Sequence, residues 1–157
     1  SKVKIMPLHG LDDVKKMMNK SKDDANTKIK GVYFAGLSNI IAATPADQGL
    51  HRNAWFLSVR AASVKTRKLK NKGGVNSVNQ LYKMPESVLN KKIYFTNNAP
   101  AISLLEYGGY PSPVKKGSYI KKSKSYEILS INGFSKQAPT GWVRSTLISM
   151  SNKIRTL

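Results

Sequence analysis

Apolar residues recur at three- and four-residue steps between Asp12 and about Ala43, a pattern that predicts a long N-terminal helix with one apolar face. A polar stretch at residues 19–24 weakens the pattern, so one continuous helix and two helices with a break there both stay open. Pro45 ends the element, because its ring disfavours helical geometry at Thr44. The apolar stripe consists of Ala25, Ile29, Val32, Tyr33, Gly36, Leu37, Ile40 and Ile41.

Alternation of apolar and polar positions predicts strands in the middle of the chain. The first strand covers residues 55–61 and the second covers residues 92–96. A third strand is predicted at 126–131, directly before the turn pair Asn132-Gly133. These short strands predict a small, mostly antiparallel sheet.

Two further helices follow the second strand. A short helix starts at Pro100 and ends where Gly108 supplies the left-handed conformation of a C-cap. The last helix is predicted from Pro139 to about Ile154. Its inner face is expected to hold Val143, Thr146, Leu147, Met150 and Ile154. Together the elements predict a single α+β domain over residues 1–157, with a long N-terminal helix, a small mostly antiparallel sheet, a short helix and an amphipathic C-terminal helix.

Two basic segments, at about 64–79 and 114–125, show no apolar period and are predicted to be solvated loops. For the first segment, a hairpin arm and a stretch that becomes ordered on a partner both stay open. Their density of positive charge exceeds that of an ordinary solvated face, which makes them candidate contacts for nucleic acid or for an acidic partner. The candidate residues are Lys65, Arg67, Lys68, Lys70 and Lys72 in the first segment, and Lys115, Lys116, Lys121, Lys122 and Lys124 in the second.

The net charge points to a polyanionic partner. The 157 residues include 27 Lys and Arg against 8 Asp and Glu, a net charge of +19. Nucleic acid is the commonest such partner and is contacted through its phosphates without sequence reading. Acidic protein surfaces are the other candidate. No recognition-helix pattern accompanies the basic segments, so sequence-specific binding is not predicted.

Several classes of protein are excluded by what the sequence lacks. There is no cysteine, which excludes disulfides, thiolate metal sites and cysteine nucleophiles. The richest apolar run, residues 32–43, contains polar positions and falls well short of the roughly 20 residues of a membrane-spanning helix. Residues 1–7 lack the apolar core of a signal peptide. We expect a protein that works in solution, with no cofactor and no membrane.

Catalytic candidates are sparse. His9 and His51 are the only histidines, and neither stands at a spacing typical of metal ligands. The best enzyme alternative combines His51 with Asp47, Glu106 and a lysine in a magnesium-dependent nuclease. The residues favour a protein that is not an enzyme and holds no metal.

Two charged residues near the C-terminus stand among apolar neighbours. Glu106 precedes the end of the short helix, and Arg144 lies in the first turns of the last helix. They predict a partly buried ion pair that fixes one helix against the other, with two separately solvated charges as the alternative.

Glycine and aromatic residues in the same region have structural interpretations. Gly108-Gly109 follows a helix instead of preceding one, which favours a C-cap and turn over a phosphate-binding loop. Trp55, Tyr107 and Trp142 are expected in the core or at a subunit interface in preference to a stack on bases.

Three blocks of the chain carry a resemblance to a known family: residues 44–55, 104–110 and 135–144. Their order and spacing resemble the neck or tail-completion proteins with which long-tailed bacteriophages join a DNA-filled head to a tail. Gln48 departs from the family pattern, in which Thr or Ser is more usual, and this affects only the detail of the turn. The matching positions are Thr44, Pro45, Asp47, Gly49, Arg52 and Trp55, then Glu106, Tyr107, Gly108 and Gly109, and finally Pro139, Gly141, Trp142 and Arg144.

The resemblance implies a structural virion protein that forms a cyclic, hexameric ring at the head-proximal end of a tail. Its partners would be further copies of itself, the neighbouring neck or connector proteins, the tail tube or terminator protein, and the DNA that passes through the lumen. It would assemble in the host cytoplasm and end in the virion. A tail-terminator ring is the nearest alternative, and a sequence-independent nucleic-acid-binding protein is the alternative from another class.

Overall fold

The N-terminal element of the computed structural model is one continuous helix, α1 (His9–Ala43). The structure describes residues 9–110, 117–138 and 141–157. No break occurs at 19–24, so the continuous form of the predicted helix is confirmed. Its first half is solvent-exposed, because no described element packs against it, and residues 10–24 extend about 22 Å at 1.5 Å per residue. No helix among the described residues is both long and apolar enough to cross a bilayer.

The first two predicted strands are confirmed and pair with each other. Strand β1 (Trp55–Val59) runs antiparallel to β2 (Ile93–Asn97), which follows later in the chain. Trp55 lies opposite Asn97 and Leu57 lies opposite Phe95, so the buried face of β1 continues onto β2. The rings of Trp55 and Phe95 stack with their centroids 4.8 Å apart.

The segment between the two strands is only partly the predicted loop. Residues 60–74 have no regular structure, but helix α2 (Val75–Gln80) and a single 3₁₀ turn (Leu81–Lys83) follow them, which corrects the loop predicted to residue 79. The pattern concealed α2 because its inward side chains are polar. Buried Ser77 accepts a hydrogen bond from the Trp55 amide at 2.9 Å, and Gln80 accepts one from the Leu57 amide at 3.3 Å.

The third predicted strand is wrong as a single element. Residues 125–131 divide into β4 (Ser125–Glu127) and β5 (Ser130–Ile131), which belong to different hairpins. Strand β3 (Ser118–Ile120) pairs with β4, and β6 (Phe134–Ser135) pairs with β5 across the Asn132-Gly133 turn. The division occurs because Ser130 pairs forward with Ser135, away from the preceding ribbon. The described strands thus form three two-stranded antiparallel ribbons.

The second basic segment, predicted as a loop at 114–125, contains the ribbon β3–β4 over 118–127. Its lysines occupy the turn between the two strands, where Lys124 has a positive φ of 51°. Tyr119 and Tyr126 lie opposite each other, with ring centroids 5.2 Å apart. These cross-strand rings stabilise a ribbon that the lysine content alone does not predict.

Two helices complete the α+β fold, which is confirmed. Helix α3 (Ile102–Tyr107) begins two residues after the predicted start at Pro100 and ends at Gly108 as predicted. Gly108 has φ 76° and ψ −164°, a positive-φ conformation that differs from the predicted left-handed one. Helix α4 (Trp142–Arg155) packs along the second half of α1, where the side chain of Met150 fills the space left by Gly36. Its predicted start at Pro139 lies outside the described residues. Thr146 and Met150 face inward as expected, whereas Leu147 is half exposed.

Candidate functional site

The three sequence blocks meet at the C-terminal end of α1. They surround a groove of about 340 Å³ that opens beside the turn following the helix. Each block contributes to its wall, so segments that are distant in sequence form one structural unit. The lining residues from these blocks are Pro45, Asp47, Gln48, Gly49, Leu50 and His51, then Leu105 and Tyr110, and then Ser135, Lys136 and Gln137.

Arg52 closes the end of α1. Its guanidinium donates hydrogen bonds to the backbone oxygens of Ala42 and Thr44, both at 2.9 Å, and of Lys72 at 2.8 Å. The last carbonyls of a helix have no partner within the helix, and a positive charge there is favoured by the helix dipole. Arg52 therefore joins the helix end, the following turn and the first basic segment.

Both tryptophans belong to the core, as expected. Trp55 donates its indole N–H to the Thr44 hydroxyl at 3.0 Å, and Trp142 donates to the carbonyl of Ile40 at 3.2 Å. The Thr44 hydroxyl itself donates to the same Ile40 carbonyl at 2.6 Å. Two blocks are therefore anchored on one turn of α1, and neither indole is available to stack on a base.

The predicted ion pair between Glu106 and Arg144 is confirmed. The Arg144 Nε lies 3.1 Å from Glu106 Oε1, and the Glu106 side chain is 7% exposed. The same carboxylate accepts hydrogen bonds from the backbone amides of Val143 at 3.0 Å and Arg144 at 2.8 Å. A Cβ at Gly141 would lie 2.5 Å from the guanidinium, so a larger residue there would have to displace the Arg144 side chain from Glu106. Glu106 thus caps the N-terminus of α4 from another helix.

The Gly108-Gly109 pair is a turn that docks on the β5–β6 hairpin. Gly108 donates to the carbonyl of Leu104 at 2.9 Å, which is the predicted C-cap. The next two amides, of Gly109 and Tyr110, donate to the carbonyl of Gly133 at 2.8 and 3.0 Å. Because all three amides have protein acceptors, they do not form an anion cradle. Tyr107 differs from the tryptophans: it is 65% exposed and lies under the Arg144 guanidinium.

The residues of the nuclease alternative do not form a metal centre. The His51 ring nitrogen is 2.6 Å from the carbonyl of Pro100, and Glu106 is already bonded to α4. Asp47 and His51 line the same groove, but the described residues contain no group of three His, Asp or Glu side chains able to hold a metal ion.

The first basic segment is held in place by the rest of the chain. Asn71 donates its amide to the carbonyl of Gly49 at 3.2 Å, and the side chain of Asn53 donates to the carbonyl of Leu69 at 2.9 Å. At the other end, Asn98 donates to the carbonyl of Lys65 at 3.0 Å. The segment therefore has a defined path without a partner.

The candidate basic residues divide into two kinds. Lys65, Lys68, Lys70 and Lys72 are exposed, as are Lys121, Lys122 and Lys124 in the β3–β4 turn. Arg67 points inward: it donates to the carbonyl of Asn53 and lies 4.3 Å over the Phe56 ring, and burial lowers the pKa of its guanidinium. Its role is structural, which corrects its place among the candidate contacts. Lys115 and Lys116 lie outside the described residues.

Comparison with known proteins gives no relative for this chain: no family model, no curated protein and no solved structure matches it. The sequence blocks, their packing and the surfaces that they leave exposed therefore carry the evidence for the function of the chain. The sequence does not predict two contributions to the site. Arg52 is a motif residue whose role at the helix end no local pattern indicates, and the cap that Glu106 forms on α4 has no local signal either.

Proposed function

We propose that this chain is a structural virion protein, a ring subunit at the head-proximal end of a phage tail that takes part in head–tail joining. The observation that carries the proposal is the convergence of the three resemblance-bearing blocks on the end of α1. Residues shared with the tail-completion pattern have defined structural tasks there. They hold secondary-structure elements together and cap the ends of helices, which is typical of residues that stabilise a structural protein.

The polar groups of these blocks are used within the chain. Glu106 caps the N-terminus of α4, and Arg52 bonds to a carbonyl at the end of α1. The hydroxyl of Thr44 donates to the carbonyl of Ile40 in α1 and accepts a hydrogen bond from the Trp55 indole. A catalytic site needs polar groups that converge on a substrate position instead. This arrangement supports an assembly role and a protein that is not an enzyme.

The exposed apolar surface also supports a subunit that packs against others. The projecting half of α1 presents a row of large apolar side chains, of which Met17 is 71% exposed. A contiguous exposed apolar surface commonly marks a site of contact with another protein. The row consists of Leu11, Val14, Met17 and Met18.

The charge is consistent with a ring that surrounds or adjoins a polyanion. Each copy carries +19, and identical copies repel one another unless anions are close by. DNA in the lumen and acidic surfaces on the adjoining rings are both suitable. A cyclic ring uses two different faces of each subunit, and closure of the ring sets the copy number, six by analogy with the family.

Electron microscopy of virions tests the proposal directly. We expect an antibody to this protein to label the head–tail junction, and particles made without the protein to accumulate as unjoined heads and tails. Label at the junction, combined with tails of abnormal length in the absence of the protein, would favour the tail-terminator alternative. Virions without label would overturn the proposal and leave the nucleic-acid-binding protein as the second candidate.

The exposed lysines of the first basic segment give a prediction about DNA. Replacing Lys65, Lys68, Lys70 and Lys72 with Ala is expected to weaken binding to a DNA duplex and to flatten its salt dependence. The slope of log K against the logarithm of the salt concentration is negative, and each lost phosphate contact reduces its magnitude by about 0.9. The loss of four contacts therefore reduces the magnitude of the slope by about 3.6. Fluorescence anisotropy of a labelled duplex over a salt series measures both quantities.

A matched variant separates the position of the lysines from their number. Replacing Lys15, Lys16, Lys20 and Lys22 on α1 with Ala removes the same charge from an exposed helix. We expect it to change the slope less. Equal changes of the slope in the two variants would mean that DNA binding depends only on the total charge. The first basic segment would then be assigned as a contact for an acidic protein surface. Tight binding at low salt, combined with virions that carry no label, would favour the sequence-independent nucleic-acid-binding protein.

A further inference from the structure

Strand β2 has an open edge. The amides of Trp55 and Leu57 point away from β2 and donate to side chains of α2. The backbone hydrogen bonds between the two strands are therefore made by the alternate residues of β1, Phe56 and Ser58. In an antiparallel ladder the partners of Trp55 and Leu57 must then also point outward. Phe95, opposite Leu57, therefore directs its N–H and C=O away from β1, and no described residue bonds to either group.

The two edges of this ribbon are treated differently. The outer edge of β1 is covered, because Ser77 and Gln80 bond to its amides and Arg67 approaches the carbonyl of Trp55 at 3.4 Å. The outer edge of β2 has no such cover among the described residues. An uncovered edge is a template for pairing with another strand, and a two-stranded ribbon gains stability from a third.

An apolar groove of about 340 Å³ borders this open edge. Four consecutive residues of β2, Ile93 to Thr96, line it although their side chains alternate between faces, which places the groove at the backbone edge. The floor comes from α1 and α4. It includes Leu147, which the helical pattern assigns to the buried face and which is 50% exposed. The groove has the shape and chemistry for one extended segment with apolar residues at alternate positions.

We infer that this groove binds residues 2–6 of a second copy of the chain, which add as a third strand to the edge of β2. The segment reads Lys2, Val3, Lys4, Ile5 and Met6, so Val3 and Ile5 fall on one side and the lysines on the other. Val3 and Ile5 cover Leu147, while the two lysines face solvent. Residues 1–8 lie outside the described residues, and the proposal concerns their bound form alone.

The length of α1 requires that the strand come from another copy. Tyr33 is the groove residue nearest to the N-terminus of α1, and it lies about 36 Å along the helix from His9 at 1.5 Å per residue. The seven steps from His9 to Lys2 span at most about 25 Å when fully extended. A chain therefore cannot fill its own groove. The contact joins two different faces of successive copies, which is the head-to-tail geometry that generates rings.

Crosslinking tests the contact on the full chain. The chain has no cysteine, so introduced thiols report uniquely. Chains carrying Ile5→Cys are mixed with differently tagged chains carrying Leu147→Cys and treated with a short bismaleimide, in about 0.5 M salt to screen the repulsion between copies. We expect a crosslinked heterodimer. Lys4→Cys in place of Ile5→Cys is expected to crosslink at least five-fold less, because its side chain faces solvent.

A second pair of variants does not depend on crosslinking geometry. Leu147→Lys places a charge in the groove, and Ile148→Lys places it on the neighbouring, 63% exposed position of α4 outside the groove. Light scattering at high protein concentration is expected to show oligomers for the parent and for Ile148→Lys, and at least ten-fold weaker association for Leu147→Lys. Circular dichroism checks that both variants fold.

Two results would overturn the inference. One is a parent chain that stays monomeric in light scattering, together with Ile5→Cys and Leu147→Cys chains that give no heterodimer. The other is a chain carrying both Ile5→Cys and Leu147→Cys that crosslinks within itself at monomer mass. The inference is independent of the proposed function, because virion labelling tests the place of the protein and these measurements test only the contact between copies.

Discussion

Replacing Glu106 with Ala is expected to lower the free energy of unfolding by on the order of 3 kcal/mol. The carboxylate is buried and accepts three hydrogen bonds, two from the first amides of α4 and one from the Arg144 guanidinium. Truncation leaves these amides without their cap and removes the side-chain attachment of α3 to α4, so that only the bond from the Arg144 guanidinium to the Glu106 backbone carbonyl remains. For a domain of this size the expected fall in Tm is about 6–12 °C. Denaturant unfolding followed by circular dichroism measures the change.

A surface glutamate provides the control for this prediction. Glu86 is exposed, and its recorded bonds are made through its backbone carbonyl, so Glu86→Ala is expected to stay within about 0.5 kcal/mol of the parent. Glu106→Gln keeps an acceptor at the cap and should fall between the two. If Glu106→Ala and Glu86→Ala unfold at the same denaturant concentration, the carboxylate does not hold α4 in place.

Gly49→Ala is expected to destabilise the chain by about 3 kcal/mol, from the sum of backbone strain and steric overlap. Gly49 has φ +79°, and a Cβ there would lie 2.2 Å from the backbone carbon of Asn71. The atoms that this Cβ would meet belong to the backbone of Asn71 and Lys72 and cannot rotate away, so the first basic segment must move away from the turn. The same denaturant unfolding measures the loss, and faster trypsin cleavage at Lys70 and Lys72 reports the displaced segment.

Another glycine serves as the comparison. Gly31 lies in α1 with open space around its Cα, so Gly31→Ala is expected to raise stability by about 0.5–1 kcal/mol. A Gly49→Ala chain as stable as the parent, with unchanged cleavage, would show that the basic segment does not rest on this turn.

Local patterns predicted the elements whose buried faces are apolar. The three-to-four-residue period of α1 and α4 and the alternation in β1 and β2 are visible because burial there selects apolar side chains. Helix α2 has no apolar period because its inward residues, Ser77 and Gln80, are polar and bond to the edge of β1. The sequence pattern therefore does not predict it. The β3–β4 ribbon is not predicted by alternation, because most of its residues are exposed and charged or polar.

The candidate site was predictable in its parts but not as a unit. The pairing of Glu106 with Arg144 followed from two charges among apolar neighbours, and the C-cap followed from Gly108. The cap on α4 joins residues 37 positions apart, and a contact of that span leaves no periodic trace in the sequence. The inward turn of Arg67 likewise depends on the Phe56 ring and on a carbonyl 14 positions away.

The β3–β4 ribbon has a consequence for how the chain can be altered. Among the described residues its strands pack chiefly on each other, and the turn at Lys121 to Lys124 is fully on the surface. Turn tips of this kind accept additional sequence, because no buried backbone has to be rebuilt around it. Added length at Ser123 would leave the core, the helix caps and the open edge of β2 as they are. The chain therefore offers one place where a foreign peptide can be displayed without altering the subunit that carries it.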